Sequence, residues 1–129
     1  VAVRSKLEHE ITQMGGDGEG FMQEFGITET ARDRIIRKSY ELLGLMSFYT
    51  VGDDEVRAWT IPQNTPALDA AEVIHSDIKK GFIRAEVLAY DDLITAGNYV
   101  EARKHGKTRL EGKNYIVQDS DIIDFRFNV

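Results

Sequence analysis

The first third of the chain carries hydrophobic positions at helical spacing. Leu7, Ile11 and Met14 lie three or four residues apart, which predicts a helix that ends at the glycines after Met14. A second helix is predicted downstream, where apolar side chains again repeat on one face. These side chains are Ile35, Ile36, Tyr40, Leu42 and Leu43.

The second helix also has recognisable end signals. Thr30 and Asp33, three residues apart, form a capping pair at its start. Gly44 suits the left-handed position that follows a helix. The basic residues of this segment lie mostly off the apolar stripe and indicate a solvated face.

Between the two helices, residues 15–20 alternate glycines with acids, and we expect a flexible acidic loop there. A phosphate-binding loop would need glycines ahead of a Gly-Lys-Ser/Thr sequence that opens a helix. No lysine or arginine occurs in residues 12–30, and Asp17 and Glu19 would repel phosphate. The sequence therefore favours an ordinary loop over a phosphate site.

Short runs rich in β-branched and aromatic residues dominate the rest of the chain. Residues 47–51 and 56–61 predict a hairpin with its turn at 52–55. Thr65 as N-cap, with Pro66 at the first helical position, predicts a helix that continues to Gly81. The remaining predictions are a strand at 82–89, helical turns at 91–96 and 99–105, and strands at 108–111, 115–117 and 121–127, with a turn at 112–114.

This element order indicates an α+β fold of the β-grasp (ubiquitin-like) type, in which one helix packs across a mixed sheet. We expect a helical part over residues 1–46 and the β-grasp domain over residues 47–129. The chain begins with Val1 and runs at once into charged residues, so we expect it to be a piece of a longer protein.

Composition narrows the class of protein. With 42% hydrophobic and 29% charged residues in 129, the chain has the balance of a globular and not a disordered protein. The absence of cysteine excludes disulfides, thiolate metal sites and cysteine nucleophiles, and agrees with a reducing compartment. No apolar run approaches the roughly 18 residues of a membrane span, and no signal peptide opens the chain. We therefore expect a cytoplasmic protein with no membrane partner.

The second part of the chain contains five blocks that resemble the TGS domain of YchF-type P-loop ATPases, a branch of the Obg-related GTPases. The blocks are residues 56–61, 73–87, 90–93, 109–119 and 125–129. The first part resembles the same family: residues 5–8 are similar to the end of its G domain, and residues 25–27 and 35–45 to its connector. The sequence departs from the family pattern at Arg4-Ser5, Glu72 and Ile78.

The resemblance implies a parent that binds and hydrolyses ATP, and GTP less well, with magnesium. The P-loop, both switch regions and the base-selecting motif are absent from these 129 residues, so we expect them to be inactive alone. The resemblance further implies that Ser5 and Lys6 line the purine of the nucleotide in the parent. It also implies two partners for this chain: the parent's own G domain, and the ribosome or RNA. The alternative for Ser5 and Lys6 is a helix N-cap beside a solvated lysine.

The three histidines do not form a metal-binding or catalytic pattern. A metal site needs three or four converging ligands, and His75 and Asp77, two residues apart, do not face each other on a helix. We expect His75 to cap or pack near a helix end. We assign no catalytic and no metal-binding residue.

Two groups of residues suggest nucleic-acid contact. Phe48, Tyr49 and Trp59 could stack bases, although on alternating strands we favour core positions for them. Residues 103–113 hold five basic residues and one acid, a net charge of +4 inside a chain of net charge −6. A solvated face is the alternative for such a run. The candidate RNA or ribosome contacts are Lys79, Lys80, Arg84, Arg103, Lys104, Lys107, Arg109 and Lys113.

We therefore expect a non-catalytic interaction or regulatory module, to which two other functions are alternatives. TGS domains also accompany aminoacyl-tRNA synthetases and stringent-response enzymes, so a small-ligand or tRNA sensor is the alternative, although the match to the G-domain connector argues against it. A ubiquitin-like modifier or sulfur carrier would need a Gly-Gly carboxyl terminus. The sequence has Phe127-Asn128-Val129 at that place, and we do not expect this chemistry.

Overall fold

The computed structural model describes residues 2–128, apart from the side chain of Asp17. It divides into two compact units, Val1–Leu43 and Gly44–Val129. Across residues 2–128, every helix is too short or too polar to cross a lipid bilayer.

The first unit is helical. It consists of α1 (Ser5–Met14), a short 3-10 turn (Gly15–Asp17), α2 (Gly18–Glu24) and α3 (Ala31–Leu43). The Glu8 carboxylate on α1 accepts a hydrogen bond of 2.9 Å from the backbone N–H of Ala31, and so satisfies a free donor at the start of α3. The predicted Thr30–Asp33 cap is confirmed, since the Thr30 hydroxyl accepts from the Asp33 N–H at 3.2 Å.

The prediction of a flexible loop over residues 15–20 is wrong from Gly18 onward, where α2 begins. Gly18 is buried against α1, and a Cβ there would lie 3.3 Å from the Ile11 carbonyl oxygen. The missing side chain thus lets the two helices pack closely. The ring of Phe21 on α2 contacts that of Phe25, the first residue after α2, with 4.7 Å between the ring centres.

The second unit is built on a five-stranded sheet. Its strands are β1 (Leu45–Val51), β2 (Val56–Pro62), β3 (Phe82–Ala89), β4 (Arg109–Glu111) and β5 (Asp121–Phe127). Their order across the sheet is β2-β1-β5-β3-β4. The central pair β1–β5 is parallel, and the other pairs are antiparallel. The predicted hairpin at 47–51 and 56–61 is confirmed.

Four helices accompany this sheet: α4 (Ala67–Ile74), α5 (Ser76–Lys80), α6 (Tyr90–Ala96) and α7 (Tyr99–Lys104). The main core lies between the sheet and α4, whose buried face consists of Ala67, Ala70 and Ala71. A smaller core on the other face joins Leu88 and Ile122 of the sheet to Ala102 of α7. From Arg84 onward, strand alternation assigns the side chains of β3 to one or the other of these two faces, whereas the register shifts between Phe82 and Arg84.

Three predicted elements in this unit need correction. The N-cap of α4 is Pro66 and not Thr65, whose hydroxyl bonds back to the Pro62 carbonyl. The single helix expected up to Gly81 is two helices, because His75 has extended backbone angles between them. Residues 115–117 form no strand, since the Pro66–Ile116 bridge is isolated.

Gly81 marks a close approach of two chain segments. Its carbonyl accepts from the Asn128 N–H at 2.9 Å, where the start of β3 meets the end of β5. A Cβ at Gly81 would lie 2.1 Å from the Asn128 carbonyl oxygen, far inside contact distance. Only glycine fits this position without a backbone shift.

Candidate nucleic-acid interface

The predicted basic contacts fall into two clusters, residues 79–84 and residues 103–113, and several of their members are neutralised by acids. Lys79 on α5 forms ion pairs with Glu72 and, at 3.3 Å, with Asp69, both on α4. These hydrogen bonds raise the pKa of Lys79. Lys104 pairs with Glu101 one turn earlier on α7 at 3.4 Å. The acids in these pairs partly neutralise the lysines, so that the lysines attract an external anion less strongly.

Arg103 takes part in a network centred on Glu86 of β3, a carboxylate that is only 4% exposed. One oxygen of Glu86 accepts from Arg103 at 2.8 Å, and the other accepts from Arg126 of β5 at 2.6 Å. The Tyr99 hydroxyl lies 3.3 Å from the first oxygen. Burial raises the pKa of Glu86, but hydrogen bonds from Arg103 and Arg126 outweigh it and leave that pKa below its usual value.

Arg109 on β4 is held mainly by an uncharged partner. Its guanidinium donates to the Tyr115 hydroxyl at 3.1 Å and lies 5.6 Å from the centre of that ring. Glu111 is 4.0 Å from the Arg109 Nε atom, at the limit of an ion pair. Arg109 thus keeps an incompletely neutralised charge in a fixed position.

Tyr115 is in turn anchored to the buried carboxylate of Asp121. Its hydroxyl donates to Asp121 at 2.6 Å, and the Gln118 N–H donates to the same oxygen at 2.9 Å. Burial and the hydrogen bond to Asp121 raise the pKa of Tyr115 to about 12. The hydroxyl therefore stays protonated at neutral pH and can donate to Asp121 while it accepts from Arg109.

Four basic residues of the clusters have no carboxylate partner within residues 2–128. All four are exposed. They are Lys80, Arg84, Lys107 and Lys113.

The sheet register separates the two clusters. Arg84 lies beside Arg126 on the face that carries Glu86, whereas Arg109 lies beside Val87 on the face that carries the main core. Because side chains alternate along β3, Arg84 and Arg109 belong to opposite faces. An RNA that meets one of them from its own face does not meet the other.

The aromatic residues divide as their strand positions indicate. Phe48 is fully buried in the main core, and Tyr49 packs against the smaller one. Trp59 is half-buried, and its Nε1–H donates to the Thr50 hydroxyl at 2.9 Å. The guanidinium of Arg57, which was not predicted from the sequence to take part, lies 4.3 Å from the centre of the Trp59 ring. The alternation of Arg57 and Trp59 along β2 was the available signal, since both side chains share a face.

The histidine prediction is confirmed where it concerned capping. His75 is the N-cap of α5, and its Nδ1 accepts from the Asp77 N–H at 3.0 Å. Over the described part of the chain, no three histidine, cysteine or acidic residues come together as a metal site.

Ser5 and Lys6 open α1 and are both exposed. The alternative interpretation of Ser5 as an N-cap is wrong, because Arg4 occupies that position without a side-chain capping bond. The predicted contact with a purine stays a prediction.

One concave feature of the second unit lies beside the Glu86 network. It is a cavity of about 280 Å³ on the sheet face that carries α7. Its polar lining includes Asp53, Tyr99, Arg103 and Asp124.

Comparison with known proteins identifies the class of protein to which the chain belongs. A family model named YchF-GTPase_C, described as "Protein of unknown function (DUF933)", matches residues 45–128. The structure also superposes on that of the Schizosaccharomyces pombe YchF GTPase, with a TM-score of 0.75 and 31% identity over 91% of this chain and 31% of the other. The chain is thus a C-terminal part of a YchF-type GTPase with a mixed α+β fold.

Curated relatives agree with this class. The chain is 48% identical to the ribosome-binding ATPase YchF of Bacillus subtilis and 51% identical to that of Pasteurella multocida. In both cases the match covers the whole chain and 36% of the relative's length. The protein belongs to the YchF-GTPase_C family, as the resemblance in the sequence indicated.

Proposed function

We propose that this chain is the part of a YchF-type nucleotide-binding protein that contacts the ribosome or RNA and does not itself catalyse. The observation that carries the proposal is the exposed, incompletely neutralised basic charge beside β4 in a chain of net charge −6. The names of the bacterial relatives, which are ribosome-binding ATPases, support it. Ribosome contact would also agree with a cytoplasmic location.

The second unit is proposed to be a TGS domain of the β-grasp type. A mixed sheet with one central parallel pair, and α4 packed across one face, supports this assignment. Residues 1–46 are proposed to be the end of the G domain with its connector, and residues 47–129 the TGS domain. The break between the two compact units lies three residues earlier, after Leu43.

Nucleotide chemistry is proposed for the parent and not for this chain. The parent would bind ATP, and GTP less well, with magnesium, and its own G domain would be the partner of the present residues. The described residues offer no metal-binding cluster, and Ser5 and Lys6 are exposed, without a loop that could cradle phosphates. This chain therefore contributes at most a side contact to a bound nucleotide.

Co-sedimentation tests the proposal. The full 129-residue chain is incubated with purified bacterial 70S ribosomes at low salt and pelleted through sucrose, with chain alone as the control. The chain should pellet only with ribosomes. In addition, removal of the charges of Lys104, Lys107 and Arg109 together should weaken pelleting, since phosphate contacts act through counterion release. A chain that stays in the supernatant at low salt contradicts the proposal.

The cavity beside Glu86 favours one alternative function, that of a module that senses a small ligand or tRNA. Its lining combines carboxylates with an arginine and a tyrosine, which would suit a small zwitterion. A thermal-shift series with amino acids and nucleotides separates the two functions, because a ligand that binds the native state raises the melting temperature.

A further inference from the structure

The basic residues around β4 differ from the rest of the predicted contacts in how their backbone is held. Lys107 follows a Schellman motif at the end of α7: its N–H bonds to the Ala102 carbonyl at 3.0 Å, and the Gly106 N–H bonds to the Arg103 carbonyl at 3.1 Å. Gly106 has the positive φ of 69° that this motif requires. The position of Lys107 is therefore fixed by the helix that precedes it.

The backbone of Lys113 is fixed by hydrogen bonds on the C-terminal side of β4. Its carbonyl accepts from the Leu68 N–H at 3.2 Å, at the start of α4, and the Tyr115 N–H closes the turn onto Gly112. Between the two lysines, Arg109 pairs with Val87 in the sheet. Since a chain extends at most about 3.6 Å per residue, the Cα atoms of Lys107 and Arg109 lie within about 7 Å of each other.

We infer that Lys107, Arg109 and Lys113, here called the β4 platform, form the RNA-phosphate contact of this chain, and that Tyr115 positions Arg109 for it. This inference rests on the proposed function and names the part of the chain that performs it. Lys79, Arg103 and Lys104 belong to internal ion pairs instead. Arg84 lies on the opposite face of the sheet, beside Arg126.

The charges and the rigidity of the platform suit a polyanion. The three basic side chains of the platform are exposed. An acid, Glu111, lies 4.0 Å from Arg109. A backbone held by a helix end, a strand pair and a turn loses little freedom on binding, which preserves affinity. A planar guanidinium in a fixed place can also bond a phosphate through two donors.

Tyr115 acts on Arg109 through its hydroxyl and not through its ring alone. The ring packs against the main core, so Tyr115→Phe keeps the packing and removes the bonds of the hydroxyl to Arg109 and to Asp121. The hydrogen bond that the Gln118 N–H donates to Asp121 remains in that variant. Tyr115→Phe should therefore weaken RNA binding without unfolding the turn.

The first test compares two triple variants of equal charge change. Lys107→Ala, Arg109→Ala and Lys113→Ala together remove the β4 platform. Arg32→Ala, Arg37→Ala and Lys38→Ala together remove three basic residues of α3 that are paired with acids and are not among the candidate contacts. Binding of each 129-residue variant to purified bacterial 70S ribosomes is measured by co-sedimentation over a series of salt concentrations.

The platform variant should bind at least about tenfold more weakly at low salt, and its slope of log K against log salt should be shallower by about 2 to 3. The control variant should lose less than about threefold, because its basic residues lie outside the proposed phosphate contact. Equal losses in both variants, or no loss in the platform variant, overturn the inference while leaving the proposed function in place. If the unmodified chain fails to bind, the proposed function itself is wrong.

A double-mutant cycle provides the second test. Tyr115→Phe alone should reduce ribosome affinity by about threefold, the loss expected when one charge-assisted hydrogen bond no longer orients its donor. In an Arg109→Ala background the same change should have no further effect. Equal losses in both backgrounds would mean that Tyr115 acts through general stability, and would overturn its role as a positioning residue.

Discussion

The Glu86 carboxylate on β3 lies 2.8 Å from the guanidinium of Arg103 on α7, although the two residues are 17 positions apart in the chain. Glu86 is nearly buried, whereas the Arg103 side chain is 60% exposed. The pair therefore links α7 to the sheet through a buried carboxylate and a solvent-exposed guanidinium. Because Glu86 neutralises Arg103, this arginine has little charge left to attract an external anion.

Glu86→Gln tests how much this tie contributes to stability. The amide keeps the volume but accepts weaker hydrogen bonds from Arg103 and Arg126, so we expect the free energy of unfolding to fall by about 1 to 3 kcal/mol. Urea unfolding followed by the fluorescence of Trp59, the single tryptophan, measures it. The control is Glu101→Gln in an exposed pair, where a change within about 0.5 kcal/mol is expected. Equal effects at both sites would contradict the account.

The same carboxylate predicts a dependence of stability on pH. Because the pKa of Glu86 is lower in the folded chain than its ordinary value near 4.5, the charged form favours folding. This contribution is present above the unfolded pKa and is lost as the pH falls through the lower folded pKa. The stability difference between the unmodified chain and Glu86→Gln should therefore shrink on acidification below about pH 4.5. A difference that is constant from neutral to acidic pH would contradict it.

Gly81→Ala should be strongly destabilising. An added methyl group would meet the Asn128 carbonyl oxygen at 2.1 Å, so the start of β3 or the end of β5 must move. We expect a loss of more than about 2 kcal/mol, as for other steric conflicts with backbone. Gly112→Ala is the matched control, since nothing lies within 4 Å of its added Cβ. Equal unfolding midpoints for the two variants would refute this explanation of Gly81.

Local features were predictable from the sequence, and long-range ones were not. The Thr30 cap, the hairpin and the capping role of His75 follow from neighbouring residues, and the structure confirms them. The break of the central helix at His75 was missed because the apolar pattern continues across it to Ile78. The strand expected at 115–117 was wrong because this segment forms one isolated bridge, between Ile116 and Pro66, instead of a continuous ladder.

The candidate site shows the same division. Its basic residues were visible in the sequence, but their partners were not. Glu86, which neutralises Arg103, lies on another element, and so does Glu72, which pairs with Lys79. The family resemblance came from long ordered blocks and is confirmed by the family model over residues 45–128.

The salt dependence of ribosome binding tests the central claim most directly. The full chain is titrated against purified bacterial 70S ribosomes between roughly 50 and 200 mM salt, the range over which counterion release changes affinity strongly. The account predicts a linear fall of log K with log salt and a slope of about −2 to −3, as three phosphate contacts require. An affinity that does not change with salt would contradict a basic RNA-contacting surface on this chain.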